Sequence, residues 1–187
     1  MLNRKNLLSC AMGLALGVVA LNASFAANVM VGGNAMLPER NIVQNAVNSM
    51  DHTTLVAAVK AAGLVDTLQS KGPFTVFAPV NAAFAALPAG TVDHLLMPSS
   101  KEMLTKVLTY HVVAGTWTAK DLGRAIDKGH GTAELTTVSG GKLWLMWNGP
   151  RNVQVKDETG AVANITIYDV LQSNGVIHSI DRVLMPK

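Results

Sequence analysis

Apolar residues recur along this chain in two rhythms, and the change from one to the other divides it. From Asn41 onward the spacing is three and four: Ile42, Val43, Ala46, Val47 and Met50 form one stripe. A second stripe, Leu55, Val56, Val59 and Ala62, runs through "TTLVAAVKAAG". That spacing predicts amphipathic helices, the second opened by Asp51 and closed by Gly63. In "LPAGTVDHLLMP" Thr91 reads as an N-cap and Pro98 as a stop. "SSKEMLTKVLTYHVVAG" then carries a Ser99/Glu102 capping box and a stripe of Met103, Leu104, Val107 and Leu108. Gly115 lets the chain turn away, and from Ala133 the texture changes. "AELTTVSGGKLWLMWNGPRNVQVKDETGAVANITIYDV" alternates or runs apolar in short pieces parted by "SGG", "NGP" and "DETG", the signature of strands joined by tight turns. A last strand, "GVIHSIDRVLMP", follows "QSNG". Helices first and an antiparallel sheet afterwards predict one α+β domain.

One stretch joins the two rhythms. "GPFTVFAPVNAAFAAL", Gly72 to Leu87, starts as β-branched and aromatic sequence and turns at once into Ala-rich sequence. Phe74, Val76 and Ala78 should face one way and Thr75 and Phe77 the other, a strand covered on both sides. Pro79 lacks a donor and should end the pairing. Asn81 should then cap a helix by accepting from the N–H of Ala83 or Phe84, with Phe84 and Leu87 folding back over the core. Phosphate loops share this strand-turn-helix plan but need glycines, and "APVNAA" has none.

The N-terminus changes the account of composition. Arg4 and Lys5, the apolar run Leu7 to Leu21, and small residues at Ser24 and Ala26 predict a signal peptide over 1–26, cleaved before Ala27. Residues 27–38 read as a flexible leader and 39–187 as the domain. Cys10, the sole cysteine of the 187 residues, leaves with the signal, so the mature chain has neither disulfide nor thiol chemistry. Without Arg4 and Lys5, 13 Lys and Arg face 12 Asp and Glu, and the net charge falls from +3 to +1. No basic run remains to meet nucleic acid, and no membrane span is expected after cleavage. The expected location is periplasmic or secreted.

Candidate chemistry is sparse. His52, His94, His111, His130 and His178 have no partner at metal-ligand spacing, and there is neither HExxH nor GxSxG. No metal, cofactor or catalytic residue is expected. Methionines are scattered, without the clustering that copper or haem handling uses. Asn164-Ile165-Thr166 is a glycosylation sequon. Trp144 and Trp147 should point to opposite faces of a strand, leaving at least one outside the core as a candidate contact.

Three segments, in order, carry a resemblance. "GPFTVFAPVNAAF", "LTYHVVAG" and "NGVIHSIDRVLMP" together resemble the signature blocks of the fasciclin domain, over about residues 38–186. Val80 stands where a threonine is commoner, and "KLWLMWNG" is more aromatic than the family pattern. The resemblance implies a β-sandwich or wedge of about seven strands with several helices around it, and the two outer blocks as neighbouring core strands. Phe74, Phe77, Pro79, Asn81, Phe84, Asn174, Gly175, His178 and Asp181 are the implied structural signature. It also implies a non-enzymatic adhesion or interaction module, meeting a protein, matrix or cell-surface component around Tyr110 and His111. A glycan or small-ligand binder using Trp144 and Trp147 is the first alternative, and an unrecognised hydrolase the second.

Overall fold

The computed structural model describes residues 28–187; the expected signal peptide, its cleavage point before Ala27 and Cys10 lie outside them. The chain runs β1 (Met30–Val31), β2 (Asn34–Ala35), α1 (Ile42–Ala46), a 3-10 turn at Met50–His52, α2 (Thr53–Ala62), α3 (Val65–Gln69) and β3 (Phe74–Pro79). It continues through α4 (Asn81–Ala85), α5 (Thr91–Leu96), a second 3-10 turn at Pro98–Ser100, α6 (Lys101–Tyr110) and β4 (Val112–Ala114). The last part is α7 (Ala119–Lys128), β5 (Thr132–Thr136), β6 (Lys142–Asn148), β7 (Asn152–Lys156), β8 (Val162–Gln172) and β9 (Gly175–Ile180).

Seven strands form one sheet in the order β4-β3-β9-β8-β7-β6-β5. A bridge between Val113 and Thr137 brings its two ends together, so the sheet is nearly closed. It is mixed rather than antiparallel throughout, because β3 and β9 run parallel, with Phe77 opposite His178. The two outer signature blocks are therefore neighbours, and β3 is paired on both edges, with β4 on the other.

β3 separates two cores, as its apolar residues on both faces require. Val76 and Ala78 join a cluster with Leu55, Val59, Leu104, Val107 and Leu108 of the helices. Phe77 joins the other with Leu122, Ile126, Leu143, Leu145, Val155 and Ile180. Thr75 is buried too, and its hydroxyl donates to Gly115 O at 2.7 Å and accepts from Trp117 N at 2.9 Å. β3 and its register do end at Pro79, opposite Ile180, with one closing bond beyond it from Val80 N to Ile180 O at 3.1 Å.

Local signals and observed ends differ at several helices. Gly90, at φ 80°, precedes α5 where Thr91 was expected to cap, and Thr91 is its first helical residue. Ser100, not Ser99, sits at the N-cap of α6 and makes no side-chain cap bond, so the Ser99/Glu102 box is not formed. Met103 is 55 % exposed rather than part of the buried stripe, and Val47 and Met50 are also exposed. Asp51 lies within the first 3-10 turn and does not cap α2. Within the expected leader, the described residues 28–38 are not simply loose, because β1 and β2 pair as a hairpin and Val31 and Met36 are buried in the first core. Asn45 holds this segment down: its Nδ2 donates to Leu37 O at 2.7 Å and its Oδ1 accepts from Leu37 N at 3.1 Å.

α7 lies between Gly115 and Ala133, where no element was expected. Its signal is a capping box of Thr118 and Asp121 followed by Leu122 and Ile126, both fully buried. Asp169, at φ 53° beside a register shift in β8, adds a second cap by accepting from Ala119 N at 2.6 Å.

Candidate functional site

Tyr110 and His111 end α6 and enter β4, and both are buried. The Tyr110 hydroxyl donates to Lys142 O at 2.6 Å and accepts from Glu158 N at 2.9 Å. Burial first of all, with the nearby Glu158 and Asp157 charges adding to it, pushes this phenol up to about 12, although the Glu158 N–H opposes the rise. The His111 ring lies between Val107 O, 2.8 Å from Nδ1, and Leu184 N, which donates to Nε2 at 2.9 Å. That pattern makes Nδ1 the protonated nitrogen and the ring neutral. Burial lowers its pKa to about 4, against the opposing pull of the Val107 carbonyl and Asp157. Next to it Asp157 accepts from Met185 N at 2.9 Å and Glu158 from Lys187 N at 3.1 Å. The Tyr-His pair thus clamps α6, the start of β6 and the C-terminal segment together. Neither ring offers a face to a partner in this conformation, which corrects the expectation of a contact there.

The remaining signature residues are bonded in the same structural manner. Asn81 is the first residue of α4, and its own helix receives no side-chain cap. Its Oδ1 instead accepts from Thr54 N at 3.0 Å and Thr53 Oγ1 at 3.2 Å, and its Nδ2 donates to Met50 O at 2.8 Å. It caps α2 from across the fold, which replaces both expected caps, Asp51 on α2 and Asn81 on its own helix. Asn174 accepts from Ile42 N at 3.0 Å and donates to Leu68 O at 2.8 Å. Gly175 lies so close to Phe74 that an added Cβ would sit 2.0 Å from its carbonyl oxygen. His178 stacks on Phe77 at 5.8 Å, and its Nε2 lies 2.7 Å from Trp117 O. Asp181 accepts from both the backbone and the side chain of Asn164, each at 2.7 Å, so the sequon's amide is engaged. Phe84 is buried in the first core, and Phe74 packs half-buried against it.

His52 is the histidine closest to a nucleophile. Ser49 Oγ lies 2.8 Å from its Nδ1 and Ser179 Oγ 3.4 Å from its Nε2. All three are buried, and burial lowers the His52 pKa. No carboxylate orients the ring, so the third member of a hydrolase triad is missing from this group. Among the described residues no three His, Cys, Asp or Glu side chains converge as a metal site. No helix among them is long and apolar enough to cross a membrane.

Trp144 and Trp147 lie on opposite faces of β6. Trp147 follows the row of Leu143 and Leu145 to the sheet rim, where it is 36 % exposed. It rests on Gly123 of α7, whose missing side chain makes room for the ring, and its Nε1 donates to Asp127 Oδ1 at 2.9 Å. Trp144 is half-buried on the outer face, across from Glu134 on β5 and Lys156 on β7. Met146 lies beside it on the same face, across from Gln154. Next to them runs a polar row that sequence reasoning did not assemble: Asn148 and Gln154 donate to Asn164 Oδ1 at 3.1 and 3.0 Å, and Asn164 donates to Asp181. Strand alternation names the Trp144 face; the row needs the register of three strands.

The family model for the Fasciclin domain matches residues 50–186. Protein sll1483 of Synechocystis sp. is 47 % identical over 78 % of this chain and 73 % of its own length. The cell surface glycolipoprotein MPB83 of Mycobacterium bovis is 34 % identical over 83 % of this chain and 64 % of its own. Among solved structures, a FAS1 domain pair from the insect cell adhesion molecule Fasciclin I superposes with a TM-score of 0.69. It is 20 % identical, over 79 % of this chain and 51 % of that one, and so shares the fold.

Proposed function

Since this chain belongs to the fasciclin domain family, we propose that it is an exported interaction module of the cell envelope or its surroundings. Its contact surface is the outer face of β6 around Trp144. The observation that carries this is the pairing of an aromatic ring and the Met146 thioether on a sheet face whose neighbours are fixed by cross-strand bonds. Such a face loses little freedom when it binds, and half-buried Trp is a favoured interface anchor. The cell-surface description of MPB83 supports an exported location. The partner is a protein or matrix component, met without a chemical step.

The test compares Trp144→Ala with Trp144→Phe for retention on the native cell envelope, with thermal stability followed in parallel. Trp144→Ala should lose about 1–2 kcal/mol of binding with its melting point nearly unchanged, and Trp144→Phe should retain most of it. Equal retention by all three proteins sinks this surface. A glycan is the second reading, because the Asn148, Gln154, Asn164 and Asp181 row sets planar amides beside Trp144. Envelope stripped of protein but not of polysaccharide separates the two.

A further inference from the structure

An apolar cavity of about 70 Å³ lies between the N-terminal helices and β3. Ile42 and Ala46 of α1, Val59 of α2, Val76 and Ala78 of β3 and Ile177 of β9 line it. Its roof comes from the segment before the matched family region: Val31 and Met36 of the hairpin are 3 % and 4 % exposed and line it too. Among the lining residues one carries a permanent charge, Lys60. Lys60 is exposed, and among the described residues its ammonium takes part in neither of the ion pairs.

We propose that this cavity takes the alkyl end of a fatty-acid carboxylate, with Lys60 pairing with the carboxylate where the chain emerges. The chemistry follows from three features. Walls without polar partners keep a void dry, and a dry void forfeits dispersion contacts that an aliphatic chain restores. The volume is about half that of the roughly 150 Å³ apolar cavity known to accept benzene, so it takes the last few carbons of a thin chain and not a ring. The cation beside an apolar wall suits an amphiphile with one anionic head, which neither a neutral sterol nor a sugar supplies. Met36, unbranched and polarizable, is the wall residue best able to yield to a chain longer than the void. None of these residues belongs to the Trp144 face, so this site stands or falls apart from the interaction reading.

The probe is laurate, titrated into delipidated protein and followed by calorimetry and methyl NMR. Saturable binding should shift the methyls of Ile42, Val59 and Ile177. Ala46→Leu, which fills the void, should weaken laurate at least tenfold, and Lys60→Gln about fivefold. 1-Dodecanol, with the same tail and no charge, should bind Lys60→Gln and the unaltered protein alike. Absence of saturable binding overturns the proposal, as does an Ala46→Leu protein that binds laurate unchanged. Laurate binding indifferent to Lys60→Gln overturns it equally, because the carboxylate would then have no partner. Xenon NMR on the unaltered protein reads the cavity without relying on a variant's folding, and a lack of any xenon shift at these methyls also refutes it.

Discussion

The Tyr110 hydroxyl satisfies a carbonyl of β6 and an amide of the turn after β7 at once. Tyr110→Phe leaves the ring volume intact and strands both groups, so it should destabilise by about 1–3 kcal/mol in a denaturant melt. A stability within error of the unaltered protein would mean that water replaces the hydroxyl without loss. Asn81 gives a second residue-scale test. Asn81→Ala removes the acceptor for Thr53 and Thr54 and should cost about 1–2 kcal/mol. Asn81→Asp keeps the acceptor and puts a negative charge at the start of α2 but loses the donor to Met50 O, so it should recover only part of that loss. If Asn81 capped α4 instead, amide exchange would quicken there rather than at Thr54. Both residues stand out in the sequence, but their partners do not. Local pattern says that Asn81 follows a strand and precedes a helix. Which helix end lies within 3 Å of its amide depends on how α2 packs, and adjacent sequence holds no trace of that.

At the scale of elements, legibility followed burial. β3 reads as a two-sided strand because Phe74, Val76 and Phe77 leave no polar face, and the structure places cores on both sides. Phe77 is fully buried, and Phe77→Ala should cost about 3–5 kcal/mol by emptying an aromatic site beside His178. A melt unchanged from the parent protein would show that the strand is not central. The parallel pairing of β3 with β9 is not a matter of pattern, since alternation is blind to strand direction; the family resemblance supplied the adjacency. Residues 116–131 show the opposite failure. No element was expected there, yet Thr118 and Asp121 begin a helix whose Leu122 and Ile126 fill the second core. The expected Tyr110–His111 contact misjudged depth: a helix end holding an aromatic residue reads the same whether the sheet passes over it or not.

For the molecule as a whole, the telling feature is that three buried histidines join separate elements. His52 lies between Ser49 and Ser179, His111 between Val107 and Leu184, and His178 between Trp117 and Asp169. Burial is the largest cause lowering all three pKa values, and for His111 it lowers the value from 6.5 to about 4. The native state therefore holds them neutral, while the unfolded chain takes up protons near the ordinary histidine value. Unfolding binds protons in that window, so stability is greatest above it and falls as the pH drops. His111 alone contributes about 3 kcal/mol between pH 6.5 and 4, and below 4 its contribution levels off because both states are protonated. Carboxylates enter later. Asp121, held low chiefly by the Thr118 hydroxyl, and Glu158, held low chiefly by the Lys142 N–H, lose their contribution only as the pH falls through the carboxylate range. The expected outcome is a melting temperature steady from pH 8 to 7 that drops steeply between pH 6.5 and 4.5, before most carboxylates titrate. His111→Gln keeps a donor and an acceptor without a titrating ring. It should be less stable at pH 7, through imperfect fit between Val107 O and Leu184 N, yet show a visibly shallower fall over the same window. A His111→Gln profile parallel to that of the parent would assign the acid lability to His52 and His178, and a flat parent profile would show that the buried rings take up their protons without opening the fold.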